Sequence, residues 1–122
     1  MKKKKFMNGE NLVISISSKK KLDEKFCFSF LRELPKKAGL SPYANPQIHF
    51  FPNEQALSEK GISGTMMMIE SHCAFHHWSE INFTNVTISS CKKILEDDVI
   101  EWLVEIFGAE SFSWEKILWP VL

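Results

Sequence analysis

The stretch SGTMMMIESHCAFHHWSEINFTNVTISSC, residues 63–91, sets the organisation of the chain. It contains three of the four histidines and two of the three cysteines. Residues 65–75 contain an apolar run and residues 81–90 include an alternating pattern, so both segments are predicted to be strands. Because the turn between them is confined to residues 77–80, the two strands must be antiparallel.

The second of these strands has one apolar and one polar face. Val86 and Ile88 share the apolar face, whereas Thr87, Ser89 and Cys91 share the polar one. Cys91 therefore ends a strand on the side that suits a functional site better than a core.

Patterns before and after this stretch indicate the remaining elements. Alternating apolar residues predict strands, and apolar residues spaced three and four apart predict helices with one buried stripe. A proline in the chain is expected to end a helix at the preceding residue. These rules predict strands at 12–17, 47–51 and 111–118, a helix at 22–34 that ends before Pro35, and a second helix at 97–107.

The predicted order is therefore strand, helix, strand, strand, strand, helix, strand. Two helices with one apolar stripe each can cover one face of an antiparallel sheet. The predicted fold is α+β, a two-layer sandwich with an antiparallel sheet and two helices on one face. Residues 1–122 form a single domain by length. The other face of the sheet is expected to be covered by a second copy of the chain, which gives a homodimer.

Composition and charge exclude some classes of function. The chain is 44% hydrophobic and 25% charged, as a globular domain is, and its formal net charge of zero gives no reason to expect nucleic acid as a partner. No apolar run approaches the roughly 20 residues that cross a bilayer, and no apolar segment follows the basic residues 2–5 as in a signal peptide. We expect a cytoplasmic protein with free thiols, of which Cys27 is buried in the core.

Hydroxyl, imidazole and thiol groups within one short span suit either acyl chemistry or a metal site. The candidate metal ligands are His72, Cys73, His76, His77 and Cys91. The spacing of His72 and His76 serves a metal on a helix, whereas this segment is predicted to be a strand, and the common zinc spacings are absent. We therefore predict no metal site. A purely structural interpretation remains open, in which Ser71 is an ordinary strand serine and the histidines are partly buried polar residues.

The residues of this stretch also carry a resemblance. Glu70-Ser71-His72, His76, Trp78 with Glu80, and Cys91, preceded by Gly61-Ile62-Ser63-Gly64, occur in the order and at the spacings of one family. They resemble the bacterial and archaeal S-adenosylmethionine decarboxylase proenzymes. These proteins have a Glu-Ser-His motif, a histidine five residues after the serine, a Trp-Pro-Glu and a strand that ends in Thr-Cys-Gly.

The resemblance implies a self-processing enzyme with a pyruvoyl group made from Ser71. The serine hydroxyl attacks the carbonyl of Glu70, the chain is cut into residues 1–70 and 71–122, and Ser71 becomes the pyruvoyl group. That ketone then condenses with the amine of a small-molecule substrate and takes up the electrons left by carbon dioxide. No external cofactor is needed.

The resemblance also implies roles for the other residues of the motif. His76 is the base that removes the α-proton of Ser71. Ser63 donates a hydrogen bond to the oxygen that gains charge during self-cleavage. Cys91 returns a proton to the substrate, and Trp78 and Glu80 form part of the substrate pocket. On a regular strand Ser71 and His76 point to opposite faces, so bringing them together within one chain needs a bend or bulge near residues 74–77.

Several positions depart from the family pattern. Ser79 replaces the proline of Trp-Pro-Glu, and Lys92 replaces the glycine after the cysteine. Leu57 stands where the family has a phenylalanine beside the adenine of the substrate. The favoured function is decarboxylation of S-adenosylmethionine for polyamine (spermidine) biosynthesis. The alternatives are the same chemistry on ornithine or arginine, or a non-processing, non-catalytic paralogue that acts as a partner subunit.

Overall fold

A computed structural model of the chain describes residues 7–51 and 60–122. Within these residues the chain forms one six-stranded sheet and two α-helices. All neighbouring strands are antiparallel, and their order across the sheet is β2-β3-β4-β5-β1-β6. The elements are β1 (Met7–Ser17), α1 (Glu24–Ala38), β2 (Gln47–Phe51), β3 (Gly61–Met68), β4 (Ser71–Trp78), a 3₁₀ turn (Ser79–Ile81), β5 (Phe83–Ser90), α2 (Glu96–Phe107) and β6 (Ser111–Val121).

The helices cover one face of the sheet, which confirms the predicted α+β sandwich. Phe30 of α1 packs edge-on against Phe75 of β4 and Phe107 of α2, with ring centroids 5.3 and 5.4 Å apart. We call this side the helix face and the other side the open face. The strand side chains buried on the helix face include Leu12, Ile14, Ile16, Ile62, Met66, Met68, Cys73, Phe75, Val86 and Ile88. The predicted burial of Cys27 is also confirmed.

The predicted end of α1 at Pro35 is wrong, because the helix continues to Ala38. Asp23 caps the helix start by accepting a hydrogen bond from the Phe26 amide at 2.7 Å. At the other end Gly39 has φ 78°, its amide donates to the Lys36 carbonyl, and the Leu40 amide donates to the Pro35 carbonyl. These two bonds satisfy the last carbonyls, so the left-handed glycine ends the helix and the proline is tolerated one turn earlier.

The predicted strand at 65–75 is in fact two strands. Met68 pairs with Ser71, and only Ile69 and Glu70 connect β3 to β4. Glu70 has φ 57°, a conformation that hairpin turns usually assign to glycine or asparagine. Neither glycine nor asparagine occurs at residues 69 and 70, so the sequence carries no signal for this turn. The sheet consequently has six strands and not the predicted five.

Candidate active site

The bond between Glu70 and Ser71 lies at the tip of the β3–β4 hairpin. Ser71 is the first residue of β4, and Glu70 is the second residue of the two-residue turn. The positive φ of Glu70 costs on the order of 1 kcal/mol for a residue with a β-carbon. The peptide bond that the sequence predicts to be cut therefore follows a residue in a strained backbone conformation.

The end of β5 contacts the side chains on both sides of this bond. Ser71 is buried on the helix face, where its hydroxyl donates to Ser90 Oγ at 3.1 Å. The Cys91 thiol lies 3.5 Å from Glu70 Oε2. We call these four residues, Glu70, Ser71, Ser90 and Cys91, the junction cluster. Cys91 is half-buried and Glu70 is exposed, so the cluster is accessible from solvent on the Glu70 side.

A serine–histidine pair lies on the open face. Ser63 of β3 and His76 of β4 are directly opposite each other in the ladder, and Ser63 Oγ lies 2.7 Å from His76 Nδ1. This hydrogen bond fixes the orientation of the imidazole ring, and Nε2 is the nitrogen that points away from Ser63. A ring held in this way can exchange a proton at a defined position.

The serine–histidine pair and the junction cluster are well separated within one chain. The β3–β4 ladder runs without a bulge from the Met68–Ser71 pair to the Gly61–Trp78 pair. His76 lies five residues beyond Ser71, which is about 17 Å along an extended strand. Their side chains also point to opposite faces, His76 exposed and Ser71 buried. The bend near residues 74–77 that would join them is absent from β4.

An aromatic row on the open face contains one residue that the sequence analysis missed. Trp78 stacks on Phe83 with ring centroids 5.3 Å apart. The register pairs Phe51 with Gly61 and Gly61 with Trp78, so Phe51 belongs to the same row. Leu57, the predicted pocket residue, lies outside the described residues, and the strand register adds Phe51 to the side chains of this face. Alternation within β2 could have found it.

Glu80 lies at the rim of this row. It is an exposed residue of the 3₁₀ turn that follows Trp78. The ring of Trp78 also lies 6.0 Å from that of His76, which connects the aromatic row to the serine–histidine pair. Of the predicted pocket residues, Trp78 thus lies beside the pair and Glu80 follows it in the 3₁₀ turn, whereas the predicted proton donor Cys91 belongs to the junction cluster.

The remaining thiols and histidines alternate between the two faces and do not converge. Burial raises the pKa of Cys73 to about 12, so its reactive thiolate is scarce near neutral pH. His77 is buried and bonds Thr84 Oγ1 at 2.9 Å, whereas His72 is exposed. Among residues 7–51 and 60–122, no group of three or more His, Cys, Asp or Glu side chains could hold a metal ion. In the same residues, no helix is long and apolar enough to cross a membrane.

His77 makes stability depend on pH. Burial, and secondarily the charge of Lys21, lowers its pKa below 6.5, although a hydrogen bond with the Phe83 backbone acts in the opposite direction. Below pH 6.5 the unfolded chain therefore binds the proton first, and the free energy of unfolding falls as the pH is lowered. Between about pH 7.5 and about pH 5, the free energy of unfolding measured in urea should fall less for His77→Asn than for the parent chain. His72→Asn, at an exposed position, should keep the parent's loss; equal losses in all three proteins would contradict the assignment.

Comparison with known proteins identifies the family. A family model described as S-adenosylmethionine decarboxylase matches residues 13–118, which include the junction cluster and the serine–histidine pair. The chain belongs to the S-adenosylmethionine decarboxylase family. The resemblance predicted from the residues between Ser63 and Cys91 is therefore confirmed.

Individual members of the S-adenosylmethionine decarboxylase family agree with this assignment. A proenzyme from Acidithiobacillus ferrooxidans is 29% identical over 92 residues, which cover 75% of this chain and 64% of that protein. One from Acetivibrio thermocellus is 35% identical over 57 residues, 46% of each chain. The chain thus matches somewhat under two thirds of the length of the first relative and about half of the second. The crystal structure of the adenosylmethionine decarboxylase from Aquifex aeolicus has a TM-score of 0.69 at 13% identity, covering 93% of this chain and 92% of that one, and shows the same fold.

Proposed function

We propose that the chain is a self-processing, pyruvoyl-dependent decarboxylase of S-adenosylmethionine that acts in polyamine biosynthesis. The observation that carries this proposal is the strained hairpin turn at Glu70–Ser71, with Cys91 against the Glu70 carboxylate at 3.5 Å. The names of the proenzyme relatives and the family match support the same chemistry.

Self-cleavage uses only groups of the chain and one water molecule. Ser71 Oγ attacks the carbonyl carbon of Glu70, the C–N bond breaks, and the Ser71 nitrogen takes the hydroxyl proton, which leaves an ester. A base then removes the Ser71 α-proton, the bond between the Ser71 β-carbon and Oγ breaks, and the main-chain carboxylate of Glu70 leaves as the new C-terminus of residues 1–70. The resulting dehydroalanine tautomerises and takes up water, releasing ammonia and leaving a pyruvoyl group at residue 71. The products are residues 1–70 and 71–122.

The residues around the junction fit a pyruvoyl group at this position. Serine is its chemical precursor, and Ser71 begins a strand, so the group would head a well-anchored segment. When present, the pyruvoyl ketone supplies an electron acceptor for decarboxylation. Cys91 supplies the proton at Sγ that returns to the substrate carbon. This thiol is close to the junction, because it lies 3.5 Å from the side-chain carboxylate of Glu70. Phe51, Trp78 and Glu80 lie at the end of the sheet away from the junction of their own chain. They therefore serve the junction of a second subunit, Phe51 and Trp78 as flat apolar walls and Glu80 as an acceptor for polar hydrogens of the substrate.

The separation of the two groups supports a homodimer with shared sites. Within one chain His76 is about 17 Å from Ser71 along β4. Two sheets packed by their open faces lie about 10 Å apart. Consider a two-fold axis that lies between the two sheets, perpendicular to the strands and midway between the serine–histidine pair and the junction cluster. This axis places His76 and Ser63 of the partner subunit opposite the junction cluster of the first subunit. The partner's His76 is then the base that removes the Ser71 α-proton, and the missing bend in β4 is not required.

The open face is suited to such packing. Ala74 and Thr87 lie side by side at the middle of this face, and Met67, on the same side, is 56% exposed. Small and apolar side chains at the centre of a sheet allow a second sheet to approach closely. Ser63, His76 and the aromatic row then lie inside the interface, where water is excluded.

Release of carbon dioxide from carboxyl-labelled S-adenosylmethionine tests the proposal. The freshly purified, self-cleaved protein should release label from this substrate and not from carboxyl-labelled ornithine or arginine. Borohydride, which reduces ketones, should abolish the activity in the presence of substrate, whereas a metal chelator should not. Release from ornithine or arginine alone would contradict the proposed substrate, and cleaved protein inert towards all three would contradict the proposed reaction.

Cys91→Ala is the matched variant for this assay. It should still be cut between Glu70 and Ser71, because no cleavage step uses the thiol. Its rate of decarboxylation should fall by about 10²-fold or more, the usual contribution of a positioned acid. Full turnover by the variant would remove Cys91 from the mechanism.

A further inference from the structure

Ser90, the last residue of β5, and Cys91, which follows it, hold the two sides of the junction in different ways. Cys91 meets the exposed Glu70 carboxylate, whereas Ser90 meets the buried Ser71 hydroxyl. Ser71 and Ser90 are directly opposite in the β4–β5 ladder, and they are 5% and 1% exposed. A buried hydroxyl needs a hydrogen-bond partner, because leaving it unpaired destabilises the folded state. Ser90 is that partner for the nucleophile.

The position of Ser90 is itself fixed by the chain around it. Ser90 Oγ accepts a second hydrogen bond from the Lys92 amide at 2.9 Å. Two residues further on, the Ile94 amide donates to Glu10 Oε1 at 2.7 Å, and the other oxygen of Glu10 lies 3.1 Å from Lys116 Nζ. The segment that follows β5 is thus anchored to β1 and β6. Ser90 is a rigid acceptor and cannot easily rotate away from Ser71.

We propose that Ser90 is a positioning residue for self-cleavage that acts on the Ser71 hydroxyl. This inference rests on the proposed function and gives a role to Ser90, which stands at the threonine position of the Thr-Cys-Gly motif. The hydrogen bond from Ser71 to Ser90 selects one of the three staggered rotamers of Ser71, and thereby sets where Oγ lies relative to the Glu70 carbonyl. Because Ser71 donates its hydroxyl hydrogen to Ser90 Oγ, the lone pairs of Ser71 Oγ stay free for attack on the carbonyl carbon.

The proposed role lies in the first step only. As Ser71 Oγ bonds to the Glu70 carbonyl carbon, its proton loses its place on oxygen and is delivered to the Ser71 nitrogen when the C–N bond breaks. Ser90 gives up no atom and gains none. Misplacing reacting atoms by about 1 Å can slow a reaction by about 10²-fold, so removing this hydrogen bond should slow ester formation by about 10- to 100-fold.

The experiment measures ester formation directly. If His76 is the base, chains carrying His76→Ala should stop at the ester. Hydroxylamine cuts esters, so fragment release in hydroxylamine, followed by intact mass, reports the first step. In this background we compare Ser90, Ser90→Cys, Ser90→Ala and Ser90→Thr. The cysteine variant keeps the packing but is a weak acceptor, and the threonine variant restores a hydroxyl. Ser89→Ala, one residue away on the open face, is the control.

We expect release to be about 10- to 100-fold slower with cysteine or alanine, and to return to within a few-fold of the parent with threonine. The Ser89→Ala control should match the parent. If Ser90 had a purely structural role, the release rates of the variants would instead follow their melting temperatures. The threonine variant would then release fragments faster than the cysteine variant only if it were more stable. Equal or faster release from Ser90→Cys and Ser90→Ala would overturn the role of Ser90 alone. No fragments from the unsubstituted wild-type chain, in buffer without hydroxylamine, would overturn the proposed function instead.

Discussion

Replacement of Ser71 by alanine should leave the protein as a single chain of 14.1 kDa, whereas the wild-type chain should separate under denaturing conditions into residues 1–70 and 71–122. Alanine has no hydroxyl to attack the Glu70 carbonyl, so the expected effect is complete loss of cleavage. The loss should not come from unfolding, because alanine fits the space of a serine and Ser71 lies at the first position of its strand. Intact mass measured after purification and again after long incubation gives the result.

The second fragment provides a further check on the same experiment. If Ser71 becomes a pyruvoyl group, residues 71–122 are blocked to N-terminal sequencing and are lighter than a simple hydrolysis product by the mass of one ammonia molecule. Ser89→Ala, which removes a nearby hydroxyl outside the junction cluster, should be cut at the wild-type rate. A wild-type chain that stays whole after long incubation would reject self-processing, and the protein would then be a candidate for a non-catalytic partner subunit.

Two variants that are each uncut alone should, when they share a dimer, restore cleavage of one of the two chains. Chains with Ser71→Ala keep His76, and chains with His76→Ala keep Ser71. In the shared-site dimer the His76 of the first variant lies opposite the Ser71 of the second. Neither variant should be cut alone. In mixed dimers the His76→Ala chain should be converted and its partner should not, so about half of the chains in these dimers are processed.

Differently tagged chains make this outcome measurable. Co-expression followed by tandem affinity purification isolates the mixed dimers, and intact mass then shows which chain was cut. Dimers of one variant, prepared in the same way, are the control. Mixed dimers that form but remain uncut would place the complete site within one subunit. Conversion of His76→Ala chains on their own at the wild-type rate would remove His76 as the base.

Much of the fold was predictable because the apolar residues of most segments follow a single period, either that of a strand or that of a helix. Alternation in β1 and β5 and helical spacing in α1 and α2 gave correct elements, and together they gave the two-layer class. The β3–β4 turn was not predictable, because Ile69 and Glu70 carry no turn signal and Glu70 is held at φ 57° by the pairing of the strands around it. The end of α1 was missed for a similar reason: the hydrogen bonds at Gly39 outweigh the local cost of Pro35.

The candidate site was predictable as a set of residues but not as an arrangement. The spacing from Ser63 to Cys91 identified the family, and strand parity indicated that Ser71 and His76 point to opposite faces. Only the register shows that Ser63 and His76 are a hydrogen-bonded pair, that Cys91 contacts Glu70, and that Phe51 shares a row with Trp78. Contacts between strands depend on which residues lie opposite each other, and a single sequence does not fix that register.

The strand order has a consequence for the cut protein. Residues 1–70 contain β1, β2 and β3, and residues 71–122 contain β4, β5 and β6. In the sheet, β1 lies between β5 and β6, and β4 lies between β3 and β5. Strands of each piece are therefore hydrogen-bonded to strands of the other. Breaking the chain at Glu70 therefore cannot release either piece without tearing hydrogen-bonded strands apart. The proposed self-cleavage would therefore leave both pieces paired in one sheet.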